Sequence, residues 1–214
     1  MDAILFDLDN TLYPPAQELF SLIDVRINRY MSEVVGIAPA EVDGLRRQYW
    51  AEYGVTLQGL IRHHAVDAED YLHYVHDVNV RARITPDPEL RQRLDAIAAP
   101  CYVFTNGSRA HAERVLACLG ISDQFEEIFD IRIAGYRPKP FPDPYREVMH
   151  RLSCTPQRTV MVEDSIDNLV TARALGLKTV LVREQEHDAR FDAHVRSAVE
   201  AAVVINDWIS NESR

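Results

Sequence analysis

AILFDLDNTL, residues 3–12, runs four apolar residues directly into two aspartates, an asparagine and a threonine. Ala3 to Phe6 show no polar alternation, the pattern of a strand covered on both faces. The polar residues then crowd its carboxyl end. CYVFTN from Cys101, TVMVED from Thr159 and TVLVR from Thr179 have the same form, and AAVVIND, residues 201–207, reads as a fifth strand. Helices are predicted between them at Arg109–Leu119, Pro144–Leu152 and Ile166–Leu175, with Gly120 and Gly176 as their C-caps. Strands alternating with helices predict an α/β fold, a doubly wound parallel sheet with right-handed crossovers.

One segment breaks that alternation. Between Pro14 and Thr85 the strand signal disappears. Phe20, Ile23, Ile27, Tyr30 and Val34 recur at helical spacing, and Val42, Leu45 and Tyr49 do so again after Pro39. Asp67 with Asp70 reads as an N-cap and an acidic third position ahead of Tyr71, Leu72 and Val75. Thr85-Pro86-Asp87-Pro88 reads as the link back to the sheet. The expected organisation is a sheet domain of residues 1–13 and 86–214 with an all-helical subdomain, residues 14–85, inserted after the first strand.

Composition narrows the partners. The 214-residue chain carries a formal net charge of −10. It lacks the basic stripe that a nucleic-acid backbone requires, so no nucleic-acid partner is expected. Cys101, Cys118 and Cys154 are too scattered for a disulfide framework or a zinc spacing and read as reduced thiols. With no apolar run of membrane length and no leader-like start, the expectation is a soluble, cytoplasmic protein without a membrane partner. Nothing in the sequence separates monomer from homodimer.

In doubly wound sheets ligands bind at the carboxyl ends of the strands. Here those ends carry Asp7, Asp9, Asn10 and Thr11; Thr105 and Asn106; and Glu163, Asp164 and Ser165. Lys139 joins them from a loop stiffened by Pro138 and Pro140. A strand-end carboxylate can attack phosphorus and form an aspartyl-phosphate. Crowded hard oxygen donors beside a phosphate call for Mg²⁺. A hydroxyl and a lysine can hold non-bridging phosphate oxygens, and a second acid two residues on can protonate the leaving oxygen.

Asp7-Leu8-Asp9-Asn10-Thr11, then Thr105, Lys139 and the pair Glu163-Asp164, resemble in order and spacing the four motifs of the haloacid dehalogenase (HAD) superfamily. The resemblance covers essentially the whole chain. It implies Asp7 as nucleophile and metal ligand, and Asp9 as general acid/base with its backbone carbonyl on the metal. It further implies Asp164 as the third protein ligand, with Thr105 and Lys139 on the phosphoryl group. Thr11, Asn106 and Gly107 join the phosphate-binding set. Glu163 and Asn168 are expected behind the metal. Asn168 departs from the pattern, because many relatives carry an acid there.

The helical insertion resembles the cap of this superfamily, which closes over the rim. DLDNTLYP from Asp7, YGVTLQGLIRHH from Tyr53, YVHD from Tyr74 and NGSRAHAERVL from Asn106 resemble the pyrimidine 5′-nucleotidase branch. That implies a mononucleotide such as UMP or CMP, a small phosphate ester, as substrate. Tyr49, Arg62 and His63 are the cap candidates for base or ribose contacts, against their reading as helix core and solvated face. His73 and His76, three apart, are assigned to an exposed helix side, and Ser165 to a helix cap. Three other readings stand beside the nucleotidase: a phosphatase or phosphotransferase for sugar phosphates, a metal-free dehalogenase, and a binding module on a retired catalytic fold. The intact acids and lysine weigh against the last two.

Overall fold

The computed structural model describes residues 1–184 and 188–212. Six strands lie in chain order: β1 (Ala3–Phe6), β2 (Cys101–Phe104), β3 (Glu127–Phe129), β4 (Thr159–Glu163), β5 (Lys178–Val182) and β6 (Ala193–Val195). They form one parallel sheet in the order β3-β2-β1-β4-β5-β6. The central strand is the one that ends in Asp7. Its register sets Leu5 between Tyr102 and Met161.

The apolar runs are continuous because each strand feeds two cores. Ile4, Phe6, Val103, Val160 and Val162 face helices α5 (Pro88–Asp95), α6 (Arg109–Leu119) and α9 (Ala198–Glu212). Ala3, Leu5, Phe104 and Met161 face α7 (Pro142–Leu152) and α8 (Ile166–Ala174). Each fully buried aliphatic side chain contributes roughly 1.5–3 kcal/mol relative to exposure.

The insertion is helical, as expected: α1 (Leu19–Arg29) with a wide π turn at Tyr30–Val34, α2 (Pro39–Tyr53), α3 (Thr56–His64) and α4 (Ala68–Val75). It has its own apolar cluster, built on Ile23, Ile27, Tyr30, Tyr49, Leu57, Leu60 and Tyr71. Asp67 caps α4 by accepting from the Asp70 N–H at 2.9 Å. Leu19, Val80 and Ile84, at the two ends of the insertion, pack instead with the sheet domain. Arg83 and Glu18 tie those two ends together at 2.9 Å.

Three expectations need correction. Residues 201–207 are helix, not strand: Ala198, Ala201, Ala202 and Ile205 form a buried stripe at helical spacing within α9. β3 and β6, three residues each, sit at the sheet edges and were not anticipated. Asp87-Pro88 does more than link: Asp87 accepts from the Leu90 N–H at 2.9 Å and Pro88 opens α5. Among the described residues no helix is long and apolar enough to cross a membrane, and all three cysteines are free.

Candidate active site

The carboxyl ends of β1, β2 and β4 meet beneath the helical insertion. After Phe6 the chain turns through Asn10, whose φ of 64° lies in the left-handed region that asparagine tolerates. That turn presents Asp7 on the floor of a cavity of about 250 Å³ and sends Asp9 sideways. The loop before α7 delivers Lys139.

Lys139 is only 1% exposed, and its ammonium is fully used. It donates to Asp7 Oδ1 at 2.8 Å, to Glu163 Oε2 at 2.7 Å and to the Phe104 carbonyl at 2.6 Å. Burial alone would lower its pKa, but the Asp7 and Glu163 carboxylates reverse that and raise it. Thr11, expected among the phosphate-binding groups, is buried and donates its hydroxyl to Asp7 Oδ2 at 3.0 Å.

Glu163 anchors this corner. Besides Lys139 it accepts from Asn168 Nδ2 at 2.9 Å and from the backbone N–H groups of Asp164 and Ser165 at 3.2 Å. Asn168 therefore holds the acid behind the site, and Tyr145 donates to the Asn168 carbonyl at 2.8 Å. Ser165 caps α8 by accepting from the Asn168 N–H. Thr105 is buried and accepts from the Gly107 N–H at 2.9 Å.

Asp7, Glu163 and Asp164 offer carboxylate oxygens that all lie within 4.8 Å of one another. Burial first, then Glu163, pushes the Asp7 carboxyl up; burial, Glu163 and Asp7 do the same to Asp164. Acids crowded this way are relieved by a hard divalent cation, so the donor set fits Mg²⁺. The Asp9 side chain is not part of the cluster. Its Oδ1 accepts from Tyr13 Oη at 2.6 Å and from His111 Nε2 at 2.8 Å. Burial alone would raise its pKa; His111 and Tyr13 bring it below the usual carboxylate range.

The cap candidates fall elsewhere. Tyr49 is packed inside the insertion, stacked on His63 at 5.5 Å, and its hydroxyl meets His64 Nε2 at 2.9 Å. Arg62 and His63 are exposed on the outer side of α3, with Arg62 over the Tyr53 ring. None of the three lines the cavity. Helical spacing separates inside from outside but does not say which helix faces the rim. The roof is made by Phe20, Ile27, Arg46, Trp50, Leu57 and Tyr71, together with His76.

His76 also corrects the reading of an exposed histidine pair. His73 is exposed, but His76 is 7% exposed and stacks on His111 with centroids 4.7 Å apart. Neither His76 nor His111 was singled out as a site residue. Their meeting, across 35 positions of chain, leaves no local sequence pattern.

The chain matches the family described as haloacid dehalogenase-like hydrolase over residues 1–176. It is 27% identical over 197 residues to the phosphoglycolate phosphatase of Rhodospirillum rubrum, spanning 84% of this chain and 78% of that protein. It is 29% identical over 132 residues to phosphate metabolism protein 8 of Saccharomyces cerevisiae, spanning 58% of this chain but only 41% of the yeast protein. The HAD phosphatase of Thermococcus onnurineus superposes with a TM-score of 0.63 at 19% identity, covering 96% of this chain and 98% of that one. A family match over most of the chain, on a parallel sheet whose central strand carries the acidic turn, leads to one assignment: this chain belongs to the haloacid dehalogenase-like hydrolase family.

Proposed function

We propose that the chain is a Mg²⁺-dependent phosphomonoesterase acting through an aspartyl-phosphate, with a pyrimidine nucleoside 5′-monophosphate as substrate. The observation that carries the chemistry is Asp7: it sits at the end of the central strand, bonded to Lys139 and Thr11, with Asp164 beside it, on the floor of a roofed cavity. As the anionic ester binds, Asp9, ionised at rest, takes up a proton from solvent; Asp7 then attacks phosphorus, and the ester oxygen departs with that proton. Water, deprotonated by Asp9, then attacks the acyl phosphate, releases inorganic phosphate and restores Asp7. The Thr105 hydroxyl and the Asn106 N–H hold the phosphoryl oxygens as charge develops, and Lys139 and the Gly107 N–H join them by turning from Asp7 Oδ1 and Thr105 Oγ1. Asp7, Asp164 and the Asp9 carbonyl would hold Mg²⁺, which when bound would supply the charge neutralisation that lets two anions meet. A dehalogenase would have no use for an acid in the position of Asp9.

The roof supports a leaving group that carries a flat ring. Trp50 is 62% exposed yet lines the cavity, a surface on which a pyrimidine can stack. Arg46 also lines it, but its guanidinium is bonded to Asp24 at 2.5 Å and to Asn28 at 2.7 Å. A carboxylate substrate such as 2-phosphoglycolate would meet an arginine whose charge Asp24 already balances.

The test is phosphate release with Mg²⁺ from UMP, CMP, 2-phosphoglycolate, sugar phosphates and p-nitrophenyl phosphate. The expected result is the highest kcat/KM for UMP or CMP, with Trp50→Ala raising KM for the nucleotide more than for the aryl phosphate. Preference for 2-phosphoglycolate or a sugar phosphate would overturn the substrate; no release from any ester would overturn the reaction.

A further inference from the structure

His111 lies on the first turns of α6, with its imidazole fully buried. Its Nε2 meets Asp9 Oδ1 at 2.8 Å. A carboxylate accepts, so Nε2 donates. Among the described residues Nδ1 is the one buried side-chain polar atom without a partner. A buried unpartnered nitrogen costs stability, commonly 1–3 kcal/mol. Such a cost in a packed interior is a mark of a group kept for its other end.

Directly against this ring lies His76, from the C-terminal end of α4 in the insertion. The two imidazoles are nearly parallel, 20° apart in plane. His76 is itself fixed: Nδ1 is 2.9 Å from the Leu72 carbonyl and 3.1 Å from Ser108 Oγ, and Arg114 donates to the His76 carbonyl at 2.7 Å. The loop after β2 runs beside the pair: a Cβ built on Gly107 would touch both rings at ordinary contact distance, 3.4 Å from His111 and 3.6 Å from His76. The chain of contact thus runs from the roof, through two stacked rings, to the acid/base carboxylate.

We infer that His111 is the positioning residue for Asp9 and that His76 is the insertion's grip on it, so that the seating of the roof sets the orientation of the acid/base group. A ring that slides or tilts with α4 changes the direction of the His111 N–H, and with it the rotamer that Asp9 can hold against the opposing pull of Tyr13. This rests on the reading of Asp9 as acid/base.

The experiment is a double-variant cycle on the full chain with Mg²⁺, reading kcat and KM for phenyl phosphate and p-nitrophenyl phosphate. Asp9→Asn, His111→Phe and the combination are compared, with His111→Gln and thermal melts as folding controls. His111→Phe is expected to lower kcat for phenyl phosphate at least about tenfold, a part of the roughly 10²–10⁴-fold that acid/base catalysis supplies, with KM little changed and a smaller loss on the better leaving group. The combination is expected to be no slower than Asp9→Asn alone, within about twofold. His111→Gln, which can still donate to Oδ1, is expected to recover part of the rate. His76→Ala is expected to copy the kcat loss and His76→Phe, which keeps a stacked ring, to restore most of it. If the losses multiply in the combination, His111 does not act through Asp9 and the inference fails. Wild-type kcat in His76→Ala sinks the grip from the insertion. Wild-type kcat in Asp9→Asn instead sinks the acid/base reading itself.

Discussion

Asn106 clasps Lys139 by its backbone on both sides, accepting from its N–H at 2.8 Å and donating to its carbonyl at 2.9 Å. The lysine comes from a loop, yet it must meet Asp7 across 132 positions of chain. Two side-chain bonds from the end of β2 set the loop's height over the rim. Asn106→Ala is therefore expected to cost about 1–3 kcal/mol of stability and more than tenfold in kcat. Melting curves and phosphate release check both; an unchanged kcat would mean the lysine finds its place without the clasp.

Metal binding should be visible without turnover. A ligand that binds only the folded state at 100 times its Kd stabilises by about 2.7 kcal/mol. Saturating Mg²⁺ is expected to raise Tm of the wild-type chain, and EDTA to reverse the shift. Asp164→Asn is expected to abolish the response while leaving the metal-free Tm equal or higher, because a carboxyl pushed up to about 9 by burial and by its acidic neighbours is removed. A full Mg²⁺ shift in Asp164→Asn would exclude it as a ligand.

Acid should act first on His76. Burial, then His111, depresses its pKa from 6.5 to about 3. Between those values the unfolded chain takes up a proton that the folded chain refuses. Stability from this group is whole above about pH 6.5 and declines on acidification, by at most about 1.4 kcal/mol per pH unit, until about pH 3. His76→Phe is expected to flatten the slope between pH 6 and pH 4 in chemical denaturation. An equal slope in wild type and variant would assign the acid sensitivity elsewhere.

Gly59 is where α3 crosses α2. A Cβ there would fall 2.1 Å from the Tyr49 ring, far inside contact distance. Alanine normally gains up to about 1 kcal/mol over glycine inside a helix. Overpacking against a buried aromatic typically costs 1–3 kcal/mol, so Gly59→Ala is expected to be net destabilising. The loss should be confined to the insertion, seen as faster hydrogen exchange in α2 and α3 with β1 and β4 protected.

The reading of the sequence was strongest where chemistry and periodicity are local. The runs AILF, CYVF, TVMVE and TVLV fall in β1, β2, β4 and β5, and the glycine after α6 takes the left-handed conformation expected of a C-cap. The acids and lysine of the rim meet because parallel strands bring every carboxyl end to one side. β3 and β6 escaped because three residues hold no period. VVI in α9 misled because branched residues favour strands, while the alanine stripe that buries that helix is quieter. The roof was the least legible part. Which helix overhangs Asp7 depends on how α1, α2 and α4 pack, so Trp50 and Arg46 rather than Tyr49, Arg62 and His63 line the cavity.

The two ends of the insertion meet at the Arg83–Glu18 pair, so the helical segment enters and leaves the sheet domain through one stalk. It leaves β1 and returns before β2, neighbours in the sheet, so no strand pairing runs through it. A foreign helical bundle spliced at that stalk inherits a finished reaction centre and brings only a new clientele. The graft has one obligation: it must place an aromatic ring where His76 now lies, or it will sit over the acids without being felt by them.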